Sequence, residues 1–202
     1  MLGRNMTSKD LSNHPCVLVL AAGRGERFLA SGGATHKLQA MLGAQTVLQT
    51  TLAAVEVSGL PWHVEHGPHP GMGDSIAAAV KATAQANGWL ILPADLPLVR
   101  PQTLQALARQ LMQAEVGQLQ VIQPFYEGQK GHPVAFSRAA GDELQRLSGD
   151  QGASSIVRKA AQTQQFQRWD CDDIGCILDV DTVDSLEQAH QIWRERQSTL
   201  SQ

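Results

Sequence analysis

Two short, unbroken apolar runs limit the folds open to this chain. They are CVLVLAA at Cys16–Ala22 and WLILPAD at Trp89–Asp95. Neither alternates polar and apolar residues, so neither fits a strand with one wet face, and both are far too short to span a bilayer. Runs of this kind are buried on both faces, which calls for a sheet covered by helices on each side. The intervening segments supply those helices. TVLQTTLAAVEVSG reads as a helix from about Thr46 to Gly59, Ser75–Ala86 as an alanine-rich helix closed by Asn87-Gly88, and Pro101 opens TLQALARQLMQAEV. Trp62–His66, QLQVIQPFY, GHPVAFS and CILDVD read as further strands, DELQRLSG and SSIVRKAAQ as short helices, and DSLEQAHQIWRERQ as the terminal helix. The expected fold is α/β, a single-domain, Rossmann-like, doubly wound and mostly parallel sheet. Ligands then sit at the carboxyl ends of its strands.

The 202 residues suffice for one core. Residues 1–15 carry scattered charge and no apolar stretch, so they are expected to be a flexible tail without secretory signal or membrane anchor, ahead of one domain over 16–202. A net charge of −3 argues against nucleic acid held through its phosphates. Cys16, Cys171 and Cys176 are odd in number and lack metal-binding spacing, which points to a reducing, cytoplasmic compartment.

The chemistry-bearing residues fall at the strand ends. Leu20-Ala21-Ala22-Gly23-Arg24-Gly25 with Arg27 follows the first strand; glycines let the backbone approach an anion, and arginine grips phosphate oxygens in a fork. A plain βα turn also uses glycine, but G-x-G-x-x-G and the P-loop are both missing, which disfavours dehydrogenases and P-loop NTPases. Lys37 is placed to reach over a triphosphate. Asp95 ends an apolar strand, where a carboxylate suits a hard divalent ion bound to phosphates, although a turn or N-cap role is the plain alternative. Asp179 and Asp181, two apart on the last expected strand, supply a second carboxylate, while Asp184 is expected to cap the terminal helix. Gly71, Gly73, Asp74 and Ser75 open a helix whose free N–H groups suit ribose or phosphate oxygens; a glycine turn capped by Asp74 is the equal alternative. His63, Glu65, His66 and His69 are split by strand periodicity and are not read as a metal site; Trp62 and Trp89 are read as core.

LAAGRGERF with its later lysine, GMGDSI, PADLPLV, GHPVAFS, GDQGA and LDVDTVDSL stand in the order found in the molybdenum cofactor nucleotidyltransferases, from about Val17 to Leu186. The chain resembles that family, and its CTP-using branch more than its GTP-using one. The resemblance implies transfer of CMP from CTP to the phosphate of molybdopterin or molybdenum cofactor, with release of pyrophosphate. It implies Mg²⁺ on Asp95 and Asp181, nucleotide contacts from Leu20–Gly25, Arg27, Lys37 and Gly71–Ser75, and acceptor contacts from Gly131, His132, Pro133, Asp150 and Gly152. Delivery to a molybdenum hydroxylase apoenzyme would follow. Guanylyl transfer, another phosphorylated acceptor and a non-catalytic pterin carrier are the alternatives. Three departures bear on the site: the segment Leu29–His36 pushes Lys37 away from Arg27, one strand stands where two are usual before Gly71, and Ser154 replaces a frequent arginine, with Arg158 or Lys159 as substitutes.

Overall fold

The computed structural model describes residues 13–115 and 117–200. Of the expected tail only residues 13–15 are among them; the rest lies outside the described residues. The chain runs β1 (Cys16–Leu20), α1 (Glu26–Ala30), β2 (Met41–Leu42), β3 (Gln45–Thr46), α2 (Val47–Ser58), β4 (Trp62–Glu65), α3 (Met72–Ala82) and β5 (Gly88–Pro93). It continues with α4 (Pro101–Leu111), β6 (Val121–Tyr126), β7 (Gln129–Lys130), β8 (Val134–Ser137), α5 (Gly141–Leu144), α6 (Ser154–Gln162), β9 (Phe166–Asp170) and α7 (Val183–Leu200).

Seven strands form one sheet in the order β4-β1-β5-β8-β6-β7, with β9 also paired to β6. β4, β1 and β5 are parallel; β8 runs against both β5 and β6, and β9 runs with β6. The sheet is therefore mixed but mostly parallel, as expected for an α/β single domain. Alternate strand residues face opposite layers. Val17, Val19, Leu90 and Leu92 join α2, α4 and α7 in one core, while Cys16, Leu18, Trp89 and Ile91 join α3, α5 and α6 in the other. Each such buried aliphatic side chain is worth about 1.5–3 kcal/mol of transfer free energy. Trp89 lies in the core, its indole N–H on Thr83 Oγ1 at 3.0 Å, and Trp62 packs against the first core.

Local signals set several helix ends. Thr46 and Gln49 make a reciprocal capping box at the start of α2, and Gly59 ends it in the left-handed conformation at φ 70°. Pro101 stands at the start of α4, where its missing N–H costs nothing.

Several elements differ from expectation, among them the short α1, β2 and β3. α3 begins at Met72 and ends at Ala82, so Met72–Ser75 form its first turn instead of a loop. CILDVD is not a strand: Ile174–Cys176 is a 3-10 turn and Ile177–Asp181 has no ladder. The last strand is β9, FQRWD, at the sheet's rim, where its half-exposed polar pattern carries no buried-strand signal. No helix among the described residues is long and apolar enough to cross a membrane.

Candidate active site

The carboxyl ends of β4, β1 and β5 lie side by side, so the loops after them share one rim. After β1, the Ala21 N–H donates to the Glu65 carbonyl at 2.9 Å, which ties the glycine loop to the end of β4. Gly25 is left-handed at φ 66°, and a Cβ there would lie 3.1 Å from the His36 ring. His36 closes the inserted segment: its Nε2 donates to the Gly23 carbonyl at 2.8 Å while its Nδ1 accepts the Leu38 N–H at 3.3 Å. Leu29–His36 is thus a looped-out excursion that returns Lys37 to the rim. His36 carries no periodic signal in sequence, and only the folded loop reveals its part.

The Lys37 ammonium is 2.7 Å from Asp95 Oδ2 and 2.7 Å from Asp181 Oδ1, and Arg27 meets Asp181 Oδ2 at 2.9 Å. Lys37 contacts two carboxylates here. Burial alone would lower its pKa, but Asp95 and Asp181 outweigh that and hold it above the ordinary lysine value. The Lys37 hydrogen bond, opposed by burial and assisted by Arg27, holds Asp181 below the ordinary carboxylate value. Asp179 is pushed up, first by burial and then by neighbouring Asp95. Asp95 caps no helix: α4 starts from Arg100, and Asp95 Oδ1 is buried with no hydrogen-bond partner. Its backbone carbonyl accepts the Val180 N–H at 2.9 Å, which brings Asp181 alongside without a strand.

These residues fit a hard divalent cation. One cationic nitrogen already lies between two carboxylates, and Asp95 keeps an unpartnered oxygen. Among the described residues no group of three or more His, Cys, Asp or Glu side chains is arranged to hold a metal alone. That suits an ion bound by one or two carboxylates and completed by water and substrate phosphates.

A cavity of about 530 Å³ is lined by Leu20, Ala22–Arg27, Lys37, Asp95 and Asp181 on one side and His69–Met72 and Ser75 on the other. Ala21, Gly73 and Asp74, expected at the nucleotide, are not on its wall. Gly73 N–H is spent on the Gly149 carbonyl at 2.7 Å, and Asp74 Oδ2 accepts the Gly149 N–H at 2.9 Å. The Ser75 N–H and hydroxyl both turn to the Gly71 carbonyl. The expectation of free N–H donors is therefore corrected at Gly73 and Ser75. A Cβ on Gly71 would be 2.3 Å from Gly149 C, so Gly71 admits a backbone contact. Asp74 is not the cap either; α3 is capped from Gly71 without a side-chain bond.

A second cavity, about 630 Å³, adjoins the first through Leu20, Met72 and Pro93, and is lined by Gln123, Lys130, His132, Gly152 and Arg158 among mostly apolar groups. Of the expected acceptor residues, His132 and Gly152 line it. Gly131 and Pro133 do not: a Cβ on Gly131 would lie 2.8 Å from Cys176 Cβ, and Pro133 is buried behind a cis His132–Pro133 bond. Asp150 faces the first cavity instead, because Gly149 turns at φ 69° against α3. Burial, only partly offset by Asp95, lowers the His132 pKa, and its Nδ1 is buried without a partner. Arg158 lines the cavity, whereas Lys159 pairs with Glu143. Asp184 sits in the first turn of α7, but the capping bond is made by Thr182, whose hydroxyl accepts the Ser185 N–H at 3.1 Å.

The fold has solved relatives. A nucleotidyl transferase from Methanothermobacter superposes with a TM-score of 0.73 at 16% identity, covering 91% of this chain and 99% of that one. Rv0371c from Mycobacterium tuberculosis, in complex with manganese, gives 0.68 at 23% identity over 89% and 99% of the two chains. Molybdopterin-guanine dinucleotide biosynthesis protein A from Archaeoglobus fulgidus gives 0.59 at 18% identity over 89% and 99%. These likenesses show the fold. No curated protein matches in sequence. The family model for the MobA-like NTP transferase domain matches residues 51–165, more than half the chain and including Asp95 and His132. The chain belongs to the MobA-like NTP transferase family.

Proposed function

We propose that this nucleotidyltransferase transfers CMP from CTP to the terminal phosphate of molybdopterin or molybdenum cofactor, with release of pyrophosphate. The observation that carries the reading is the placement of Asp95, Asp181 and Lys37 on the wall of one cavity that adjoins a second, mostly apolar one through Leu20, Met72 and Pro93. The first suits a nucleoside triphosphate, the second a planar acceptor whose phosphate reaches the shared boundary. Residues 16–202 act as one catalytic domain in the cytoplasm, and a molybdenum hydroxylase apoenzyme is the recipient of the product.

Asp95 and Asp181 would hold Mg²⁺, supported by the unpartnered Asp95 Oδ1 and by the chemistry of the pair. Once bound, Mg²⁺ supplies charge neutralisation across the reacting phosphates. Gly23–Gly25 present backbone to the triphosphate, and Arg24 and Arg27 hold its outer oxygens as pyrophosphate leaves. Lys37, displaced from the carboxylates, turns to the same oxygens. His132 and Gly152 orient the acceptor for in-line attack on the α-phosphorus, and Arg158 offers the cationic grip that Ser154 does not. The acceptor phosphate is already ionised near neutral pH, so no protein base is required.

GTP is the second nucleotide to test, because the Archaeoglobus neighbour is named for a guanine dinucleotide. Pure protein is incubated with Mg²⁺, molybdenum cofactor and CTP, GTP or ATP in turn, and pyrophosphate is measured. Release with CTP alone is expected; release with GTP alone moves the protein to guanylyl transfer, and no release with a cofactor that a known enzyme accepts overturns the reading. Asp95→Asn is expected to lower turnover at least about 100-fold, the scale of lost electrostatic stabilisation. His132→Gln should cost far less; equal, small losses would sink the assignment.

A further inference from the structure

The two ends of the first cavity differ in charge. Lys37, Asp95, Asp181 and Arg27 gather beyond β1 and β5, whereas the wall beyond the edge strand β4 is His69, Pro70 and Gly71, with Asp150, next to the Gly149 that packs on Gly71, as the charged side chain on that side. A nucleoside triphosphate has the same asymmetry, with a charged chain at one end and a neutral planar base at the other. Its base therefore falls beside His69. This step rests on the nucleotide-binding reading of the cavity.

His69 is held in one orientation. Its Nε2 lies 3.0 Å from Glu65 Oε1, the same oxygen accepts the Gly67 N–H at 3.2 Å, and His63 Nε2 is 3.4 Å from Oε2. Glu65 is the last residue of β4, paired with Leu20, and its own carbonyl holds Ala21. The carboxylate is thus fixed with respect to the glycine loop. A Cβ on Gly67 would come within 2.6 Å of His69 Nε2, so glycine there lets the ring lie flat against the loop. Because a carboxylate only accepts hydrogen bonds, the proton must sit on His69 Nε2, and in the neutral ring Nδ1 is left as an acceptor. The side chain keeps 20% of its surface exposed, on the cavity wall.

We propose that His69 reads the nucleobase, its Nδ1 accepting a hydrogen from a base amino group, with Glu65 as the positioning residue that sets the tautomer. Cytosine offers an amino hydrogen where uracil presents a carbonyl oxygen, and guanine carries an amino group that hypoxanthine lacks. The pocket therefore favours the amino-bearing member of such a pair by the bond gained and, against uracil, by lone-pair repulsion as well.

The test is calorimetric titration of the full chain, in Mg²⁺, with CTP, UTP, GTP, ITP and inorganic tripolyphosphate. The wild type is expected to bind CTP over UTP, or GTP over ITP, by about tenfold or more. His69→Ala should bring that ratio close to one and leave tripolyphosphate binding unchanged. His69→Asn, whose Oδ1 stands near the position of Nδ1, should restore much of the ratio, and Glu65→Gln, which no longer dictates the tautomer, should reduce it. A wild type that discriminates in neither pair overturns the proposal, as does an unchanged ratio in His69→Ala. Parallel loss of nucleotide and tripolyphosphate in both His69 variants makes the ring a packing element and also overturns it. A wild type that binds neither nucleotide nor tripolyphosphate brings down the nucleotide reading itself.

Discussion

Lys37 shows how much one residue's role depends on what surrounds it. Its side chain is 12% exposed and its ammonium balances Asp95 and Asp181. Lys37→Met leaves two carboxylates facing each other, which should cost about 2 kcal/mol, below the full penalty for a wholly buried pair because Asp181 is partly solvated. For a chain of this size that is a melting-point drop of about 4–8 °C. Millimolar Mn²⁺ or Mg²⁺ should raise the variant's melting point more than the wild type's, since no ammonium competes with the ion. A smaller gain in the variant would show that the carboxylates do not share a cation. His132 gives a second residue-scale expectation. Its folded pKa lies below the ordinary 6.5, so as pH falls through about 6.5 the unfolded chain takes up a proton that the native ring refuses. Stability should decline in that window until the native ring titrates too. Urea melts between pH 5 and 7 should show a shallower decline in His132→Gln, and identical slopes would count against the burial argument.

At the scale of elements, glycines that look alike in sequence do different things. Gly73 lies against the Ser148 backbone, with a would-be Cβ 2.8 Å from its nitrogen and carbonyl oxygen, whereas a Cβ on Gly23 meets nothing within 4 Å. Gly73→Ala should force α3 and the 148–152 loop apart and cost about 1–3 kcal/mol. Gly23→Ala should keep wild-type stability to within about 0.5 kcal/mol and still weaken nucleotide binding, because its added methyl group points into ligand space. Thermal melts beside nucleotide titrations separate the two; a destabilised Gly23→Ala would contradict this reading. Helix α2 is well legible: apolar periodicity, the Thr46 cap and Gly59 place it to within a residue. The helical signal of α3 starts three residues late in sequence because GMGDS has turn composition, and its glycines serve contact with the 148–152 loop, which lies far away in sequence.

Across the whole molecule, Asp173 links three parts of the fold. Fully buried, it accepts from Arg100 N–H at 2.8 Å, Thr103 Oγ1 at 2.7 Å, Gly175 N–H at 3.0 Å and Arg196 at 3.3 Å, while Arg196 also reaches the Leu98 carbonyl at 2.6 Å. It joins the start of α4, the 174–176 turn and α7. Asp173→Ala strands the Arg196 charge and several buried donors, so a loss of about 3 kcal/mol and a fall of about 6–12 °C in melting temperature are expected. A change under about 2 °C by differential scanning calorimetry would refute the role. In sequence, DCDDIGC gives no sign of which aspartate is buried.

Sequence alone determined the class of fold and the rim where chemistry collects, because buried strands must be apolar and their loops must carry whatever polar groups the site needs. It picked out Arg27, Lys37, Asp95 and Asp181, which the fold does bring together. Only the tertiary structure decided that Lys37 lies on the carboxylates, that Gly73 and Asp74 serve a loop, that Asp150 faces the first cavity, and that β9 completes the sheet in place of CILDVD. Each of these turns on a partner remote in the chain. Local propensity records which conformations a segment favours, whereas a long-range hydrogen bond or ion pair is set by where the partner arrives.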